Sequence, residues 1–273
     1  MLRMQTNDGW WLITHPDHAR LAGAFATAWG NEIFCQPKPR ARVLHAIASH
    51  DDGWAVRDQS PSITREGKPS AFSAELVGKY AAFEEIALQE YLAVRARAVR
   101  IIAEDDPYAG LLIAMHTHSL LTDHADRLTI QPDQLPLLDH FLDEQQAYQL
   151  HLRTRISEDE TLTPSEKSED AIRENFRLLQ ACDNLSLLTC VAFAEQAHLL
   201  HPLPLVDGSA AEVTVEPVGE RHFRLQPWPF LAGELRFELP ARHVAGYTFS
   251  TSKELATLFH AAPVASLSVT LSS

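Results

Sequence analysis

Apolar residues in the first two thirds of the chain recur every three or four positions, the period of a helix buried along one side, whereas the last third alternates apolar and polar residues as strands do. A short apolar run at 10–13 suits a strand. After it Thr14 reads as an N-cap, Pro16 fits a first turn, Asp17 completes a capping box and Gly30 closes the segment. His18, Leu21, Ala22 and Phe25 share one face of that helix. A second helix is predicted over about 40–51, on the stripe Val43, Leu44, Ile47 and Ala48, stopping at Asp52-Gly53. Residues 54–70, with Pro61, Gly67 and Pro69, read as a loop, and 72–104 as a long helix. Pro107 opens a helix whose stripe holds Leu112, Ile113, His116 and Leu120. Residues 131–155 place Leu138, Phe141, Leu142 and Gln145 in helical register, and 157–168 form a polar, acidic loop. Over 169–198 the buried row is Ile172, Phe176, Leu179, Asp183, Leu187 and Cys190, with an aspartate among apolar neighbours.

The rhythm changes at His201-Pro202-Leu203-Pro204. Beyond it Val213/Val215, Phe223/Leu225, Leu235/Phe237/Leu239 and Leu267/Val269/Leu271 alternate with polar residues, as half-buried antiparallel strands do, and one helix capped by Thr251 and Glu254 interrupts them. The expectation is a mainly α protein: an all-α helical domain over 1–201, and a small antiparallel β region over 202–273 packed on the helical body. The alternation of that region also suits a homo-oligomer contact through an edge strand.

Composition narrows the partners. The 273 residues include 23 basic and 36 acidic side chains, a net charge of −13, and no Lys/Arg-rich run follows a phosphate backbone, so nucleic acid is not expected as a partner. No apolar run approaches the roughly 20 residues that span a bilayer, so a membrane is not expected either. Cys35, Cys182 and Cys190 are scattered and form no CxxC pair; they read as reduced thiols, and a cytoplasmic location is expected.

The 14 histidines raise the prior for a metal or acid-base site without locating it. Position locates it. His18, the adjacent His50-Asp51, His116 and Asp183 each lie on an apolar helical stripe or at its end. A carboxylate inside a core is costly unless paired, protonated or bound to a cation, so Asp183 calls for a partner. Consecutive residues at a helix end differ by about 100° around the axis, which lets His50 and Asp51 face one pocket. Mixed imidazole and carboxylate donors suit a divalent transition metal, Mn²⁺, Fe²⁺, Zn²⁺ or Ni²⁺, better than Ca²⁺ or Mg²⁺.

An isolated histidine, a His-Asp doublet at a helix end and a distant aspartate on a helical body resemble the HD-domain superfamily of metal-dependent phosphohydrolases. In that pattern His18 is the first histidine, His50 and Asp51 the doublet, and Asp183 the last aspartate. The segments DHARLAGAFATAWG, AIASHDDGW and CDNLSLLTC also resemble a bacterial family of HD-like proteins without an assigned function, over the whole chain including PWPF. The resemblance implies an HD-like helical bundle and a hydrolase of a small phosphorylated compound, a phosphomonoester or phosphodiester. It also implies that His18, His50, Asp51, His116 and Asp183 hold metal, that Asp51 binds or bridges it, and that His116 steadies charge on the phosphoryl group. Two other outcomes of the same resemblance are an HD-like binding or scaffold protein without catalysis, and a di-iron oxygenase of HD-like fold. The sequence departs from the pattern in one respect: Asp52-Gly53-Trp54 follows the doublet, and no basic residue accompanies it, leaving Arg57 and Lys68 in the next loop as phosphate ligands.

The other polar residues read more plainly. His15 is expected in solvent, and His45 faces away from the doublet. His118, His124, His140 and His151 fit surface or interhelical positions, Asp105-Asp106 a helix N-terminus, Asp123-His124 a helix end, and Trp54 the core.

Overall fold

The structure is a computed structural model that describes residues 1–79 and 87–273. Two short strands, β1 (Leu2–Gln5) and β2 (Gly9–Ile13), open the chain as an antiparallel hairpin with Leu2 opposite Ile13 and Gln5 opposite Trp10. The helices follow: α1 (His15–Ala28), α2 (Arg40–Ser49), the single turn α3 (Ala55–Asp58), α4 (Leu88–Asp105), α5 (Pro107–Thr122), α6 (Leu135–Glu158) and α7 (Glu169–Cys190). The remainder is β3 (Ala197–His198), β4 (Leu203–Pro204), β5 (Ala210–Ala211), β6 (Thr214–Gly219), β7 (His222–Gln226), β8 (Glu234–Ala245), α8 (Ser252–Ala261) and β9 (Val264–Ser272).

The expected mainly α fold with a small C-terminal β region does not hold. The structure contains a seven-stranded sheet in the order β1-β2-β8-β9-β7-β6-β3, mixed because β7 and β9 run parallel while the other neighbours are antiparallel. The all-α description of residues 1–201 is likewise corrected. The N-terminal hairpin pairs through β2 with β8, Trp10 opposite Val244 and Leu12 opposite Arg242, and β3 pairs with β6. The physical reason is range. A four-residue strand has almost no periodicity of its own, and β1 and β2 are stabilised by a partner more than 200 residues away, which no local pattern reports.

The capping chemistry did follow from local sequence. Thr14 caps α1: the Asp17 N–H donates to Thr14 Oγ1 at 3.1 Å, and Thr14 Oγ1 donates back to the Asp17 carboxylate at 2.5 Å. A related cap opens α8, where the Glu254 N–H donates to Thr251 Oγ1 at 3.1 Å and Glu254 Oε2 accepts the N–H of Ser250, the residue before the cap, at 2.7 Å. Asp106 accepts the Tyr108 and Ala109 N–H groups at the start of α5. Boundaries moved elsewhere. The helix expected over 72–104 begins at Leu88; a 3₁₀ turn occupies Ala74–Leu76, and 80–86 lie outside the described residues. The one expected over 169–198 stops at Cys190.

The sheet packs on the helical body through α1, where Phe25 meets Phe237 of β8 edge-on at 4.9 Å, and just beyond the helix Trp29 meets Phe230 of the β7–β8 connection at 5.6 Å. On the other face of the β2–β8 pair, Trp10, Leu12 and Val244 form a separate apolar cluster with Leu255 and Phe259 of α8. Among the described residues no helix is long and apolar enough to cross a membrane.

Candidate metal centre

Helices α1 and α2 approach closely because position 23 has no side chain. A Cβ on Gly23 would lie 2.6 Å from Ala48 Cβ, so the two backbones meet there, and His18 comes to the C-terminal end of α2. His50 is the C-cap of that helix, and Asp51 follows with φ −115° and ψ 14°. A 3₁₀ turn at Asp52–Trp54 then carries the chain onto α4, with Gly53 pressed against it: a Cβ there would lie 2.8 Å from the Val94 carbonyl oxygen.

All five residues expected at the site are brought together, and all are buried: His18 and His50 at 1 % exposure, His116 at 2 %, Asp51 at 5 % and Asp183 at 7 %. His18 Nε2 lies 3.0 Å from Asp51 Oδ2, and its Nδ1 is 2.9 Å from Ser186 Oγ and 3.8 Å from Asp183 Oδ1. His50 Nδ1 donates to the Ile47 carbonyl at 2.8 Å, which fixes the ring and aims Nε2 at Asp183 Oδ1, 3.2 Å away. His116 Nε2 is 3.7 Å from Asp183 Oδ2. The imidazoles meet edge to face, His18 with His50 at 5.1 Å and His50 with His116 at 5.4 Å. Two groups, His18/His50/Asp51 and His50/His116/Asp183, each place three donor atoms within 4.8 Å of one another and so could hold a metal ion.

Electrostatics at the cluster follow from burial and charge. Burial opposes ionisation of Asp51, yet Arg95, His50 and His18 hold its carboxyl well below the usual carboxylate range. Burial likewise opposes the charge on Asp183, and the histidines bring it down to about 2. Burial disfavours a charged His50, but Asp183 and Asp51 overcome this and push it up to about 9. His116 is left neutral, lowered to about 3 chiefly by burial.

The donor set fits a cation. Two buried ionised carboxylates face three imidazoles, and a neutral histidine offers a lone pair. The buried Nδ1 of His116 has no hydrogen-bond partner among the described residues, an expensive state for a buried polar atom. The link from His50 Nδ1 to a backbone carbonyl is the outer hydrogen bond that orients metal-ligating histidines generally.

The site opens on a cavity of about 950 Å³ walled by α1, α4, α5, α7 and residues 57–79. Two wall residues, Arg95 and His15, were not expected at the site. Arg95 of α4 is buried and donates from Nη1 to Asp51 Oδ1 at 2.5 Å. Its signal was the one that marked Asp183: Leu88, Leu92, Arg95 and Val99 form one buried row at spacings of four, three and four. Ser186, one turn beyond Asp183, holds His18. His15, expected in solvent, stacks on Trp54 at 4.7 Å and pairs with buried Asp58 at 3.0 Å; burial and the nearby α-amino group of Met1 lower it to about 4. Trp54, read as core, is buried and also lines the cavity. Elsewhere the plain readings stand: His140 is exposed beside Glu144, His45 faces Asp106 away from the doublet, and Asp123 ends α5.

No curated protein and no solved structure matches the chain. A family model described as "Protein of unknown function (DUF3891)" matches residues 1–246. That match takes in all five residues of the candidate metal cluster and the paired strands β2 and β8, and the protein belongs to the DUF3891 family.

Proposed function

We propose that the protein is a metal-dependent hydrolase of HD type that acts on a small phosphorylated compound. The observation that supports this best is the convergence of His18, His50, Asp51, His116 and Asp183, drawn from α1, the end of α2, α5 and α7, in the order the HD pattern requires. His18, His50, Asp51, His116 and Asp183 would hold a divalent ion, which would supply Lewis acidity toward a phosphate ester and an attacking water. The side chains do the rest. Ser186 and the Ile47 carbonyl fix the rings of His18 and His50, and the buried walls keep bulk solvent from the carboxylates. The cavity of about 950 Å³ suits a compact organic substrate. The two ligand groups share His50, whose Nδ1 is spent on the Ile47 carbonyl and whose Nε2 has one lone pair, so the overlap favours a single cation.

The test is metal analysis of protein purified without chelator, followed by a screen of phosphomonoesters and phosphodiesters with added Mn²⁺ or Fe²⁺. Stoichiometric transition metal and metal-dependent turnover are expected, and Asp51→Asn should remove both. Protein with no bound metal, whose thermal stability is unchanged by a chelator, would overturn the proposal. Metal without turnover on any phosphoester would instead favour a binding protein on the same frame.

A further inference from the structure

The cavity wall beside the metal ligands carries donors that the fold leaves unused. Arg95 spends Nη1 on Asp51 and Nε on the Tyr91 hydroxyl at 3.2 Å, while its Nη2 makes no hydrogen bond among the described residues. Its guanidinium lies 5.2 Å from the Trp54 ring centroid and 5.3 Å from that of Tyr91. Arg57, half-buried, sits 5.4 Å from the same Trp54 ring, so one indole carries two cations. Among the described residues Arg57 forms no ion pair. The Trp54 indole N–H, on a residue 3 % exposed, has no hydrogen-bond partner among them either.

The nearby carboxylates, by contrast, are engaged. Asp58 is held by His15, Glu66 accepts the Thr64 hydroxyl at 2.9 Å, and Glu75 pairs with Arg3 at 3.8 Å. Among the described residues, a desolvated guanidinium with free N–H groups, a second cation without an ion pair and an orphaned indole N–H leave unmet demand for an acceptor. Planar, charge-assisted donors of this kind match the oxygens of a phosphoryl group. The departure from the HD pattern is thereby resolved in space: the basic companion to the doublet comes from another helix, 44 residues on.

We propose that Arg95, Arg57 and the Trp54 indole N–H form an oxyanion subsite adjoining the metal ligands, and that it receives the phosphoryl group of a compact organic phosphate. This deepens the proposed hydrolase and rests on it for the role of the neighbouring metal ligands. A phosphate group fills only a small part of the cavity, and the remainder takes the organic portion.

Calorimetric titration of inorganic phosphate into the full-length protein, with metal content measured on the same samples, tests the subsite. Arg95→Lys keeps a cation for Asp51 but removes the planar fork, and should weaken phosphate binding by about tenfold or more. Arg57→Gln, at a half-buried position with no ion pair among the described residues, should weaken it by roughly threefold or more while leaving metal content unchanged and the thermal transition cooperative. Should Arg95→Lys fail to fold, Arg57→Gln decides alone. Wild-type protein that does not bind phosphate, or variants that bind it as tightly as wild type, would overturn the subsite. Metal with undiminished phosphate binding in both variants leaves the metal centre standing and removes the subsite. Arg-dependent phosphate binding without metal does the reverse.

Discussion

Asp183 lies in a helical row with Ile172, Leu179 and Leu187, and the histidines that answer its charge come from three other segments. An isolated buried carboxylate is costly enough that its place in the row was itself a prediction of company. The same logic extends to Arg95, whose row with Leu88, Leu92 and Val99 is obscured in the sequence because the apolar pattern runs back to 72 without a clear helix start. Asp58 gave no signal, since it follows the doublet in a segment read as loop, and only the fold turns it back onto α1. There its Oδ2 accepts the His15 backbone N–H at 2.6 Å and its Oδ1 faces the His15 ring. Burial opposes its charge, yet His15 and the nearby α-amino group hold its carboxyl below the ordinary value of 3.8. A carboxyl depressed in the folded state adds stability that is complete above pH 3.8 and fades as pH falls toward the folded value. Asp58→Asn should therefore cost about 3 kcal/mol near neutral pH, and the difference from wild type should shrink in acid. Urea unfolding between pH 3 and 7 reads this directly, and a difference independent of pH would refute it.

Elements are held in place here by what certain positions lack. Gly23 lets α1 and α2 touch, and Gly53 lets the turn after the doublet rest on α4 within reach of Arg95. Gly23→Ala would bring its Cβ within 2.9 Å of Ala48 Cα as well as 2.6 Å of its Cβ, and a backbone cannot swing aside. The overpacking cost of about 1–3 kcal/mol should exceed the gain of about 1 kcal/mol that alanine has over glycine in a helix. The variant is expected to unfold at lower urea concentration and to bind divalent metal more weakly, because His18 moves away from His50. An unchanged midpoint and affinity would show that the helices tolerate separation. The caps were legible at this scale, because Thr14 with Asp17 and Thr251 with Glu254 bond to their own helix starts. The beginning of α4 was not, because residues 72–79 carry apolar side chains in a turn and a bridge to β1 rather than in a helix.

The molecule as a whole joins its two ends in one sheet. The N-terminal hairpin pairs with β8, and the α8 cluster takes Trp10 and Leu12 from the start of the chain. A fragment ending at residue 201 keeps all five residues of the candidate metal cluster but loses the partner of β2 and the cover over Phe25 and Trp29. It should show no cooperative thermal transition, whereas the full chain should show one; a sharp transition in the fragment would make residues 1–201 an independent domain. Local sequence determined most of the helical stripes, the caps and the five residues of the candidate metal cluster, since a polar side chain on an apolar helical face is visible within two turns. Tertiary structure decided the seven-stranded sheet and the placing of Arg95, Arg57 and Trp54 around the cavity. Strand pairing and side-chain convergence depend on contacts between segments far apart in the chain, and neither has a period that local sequence can carry.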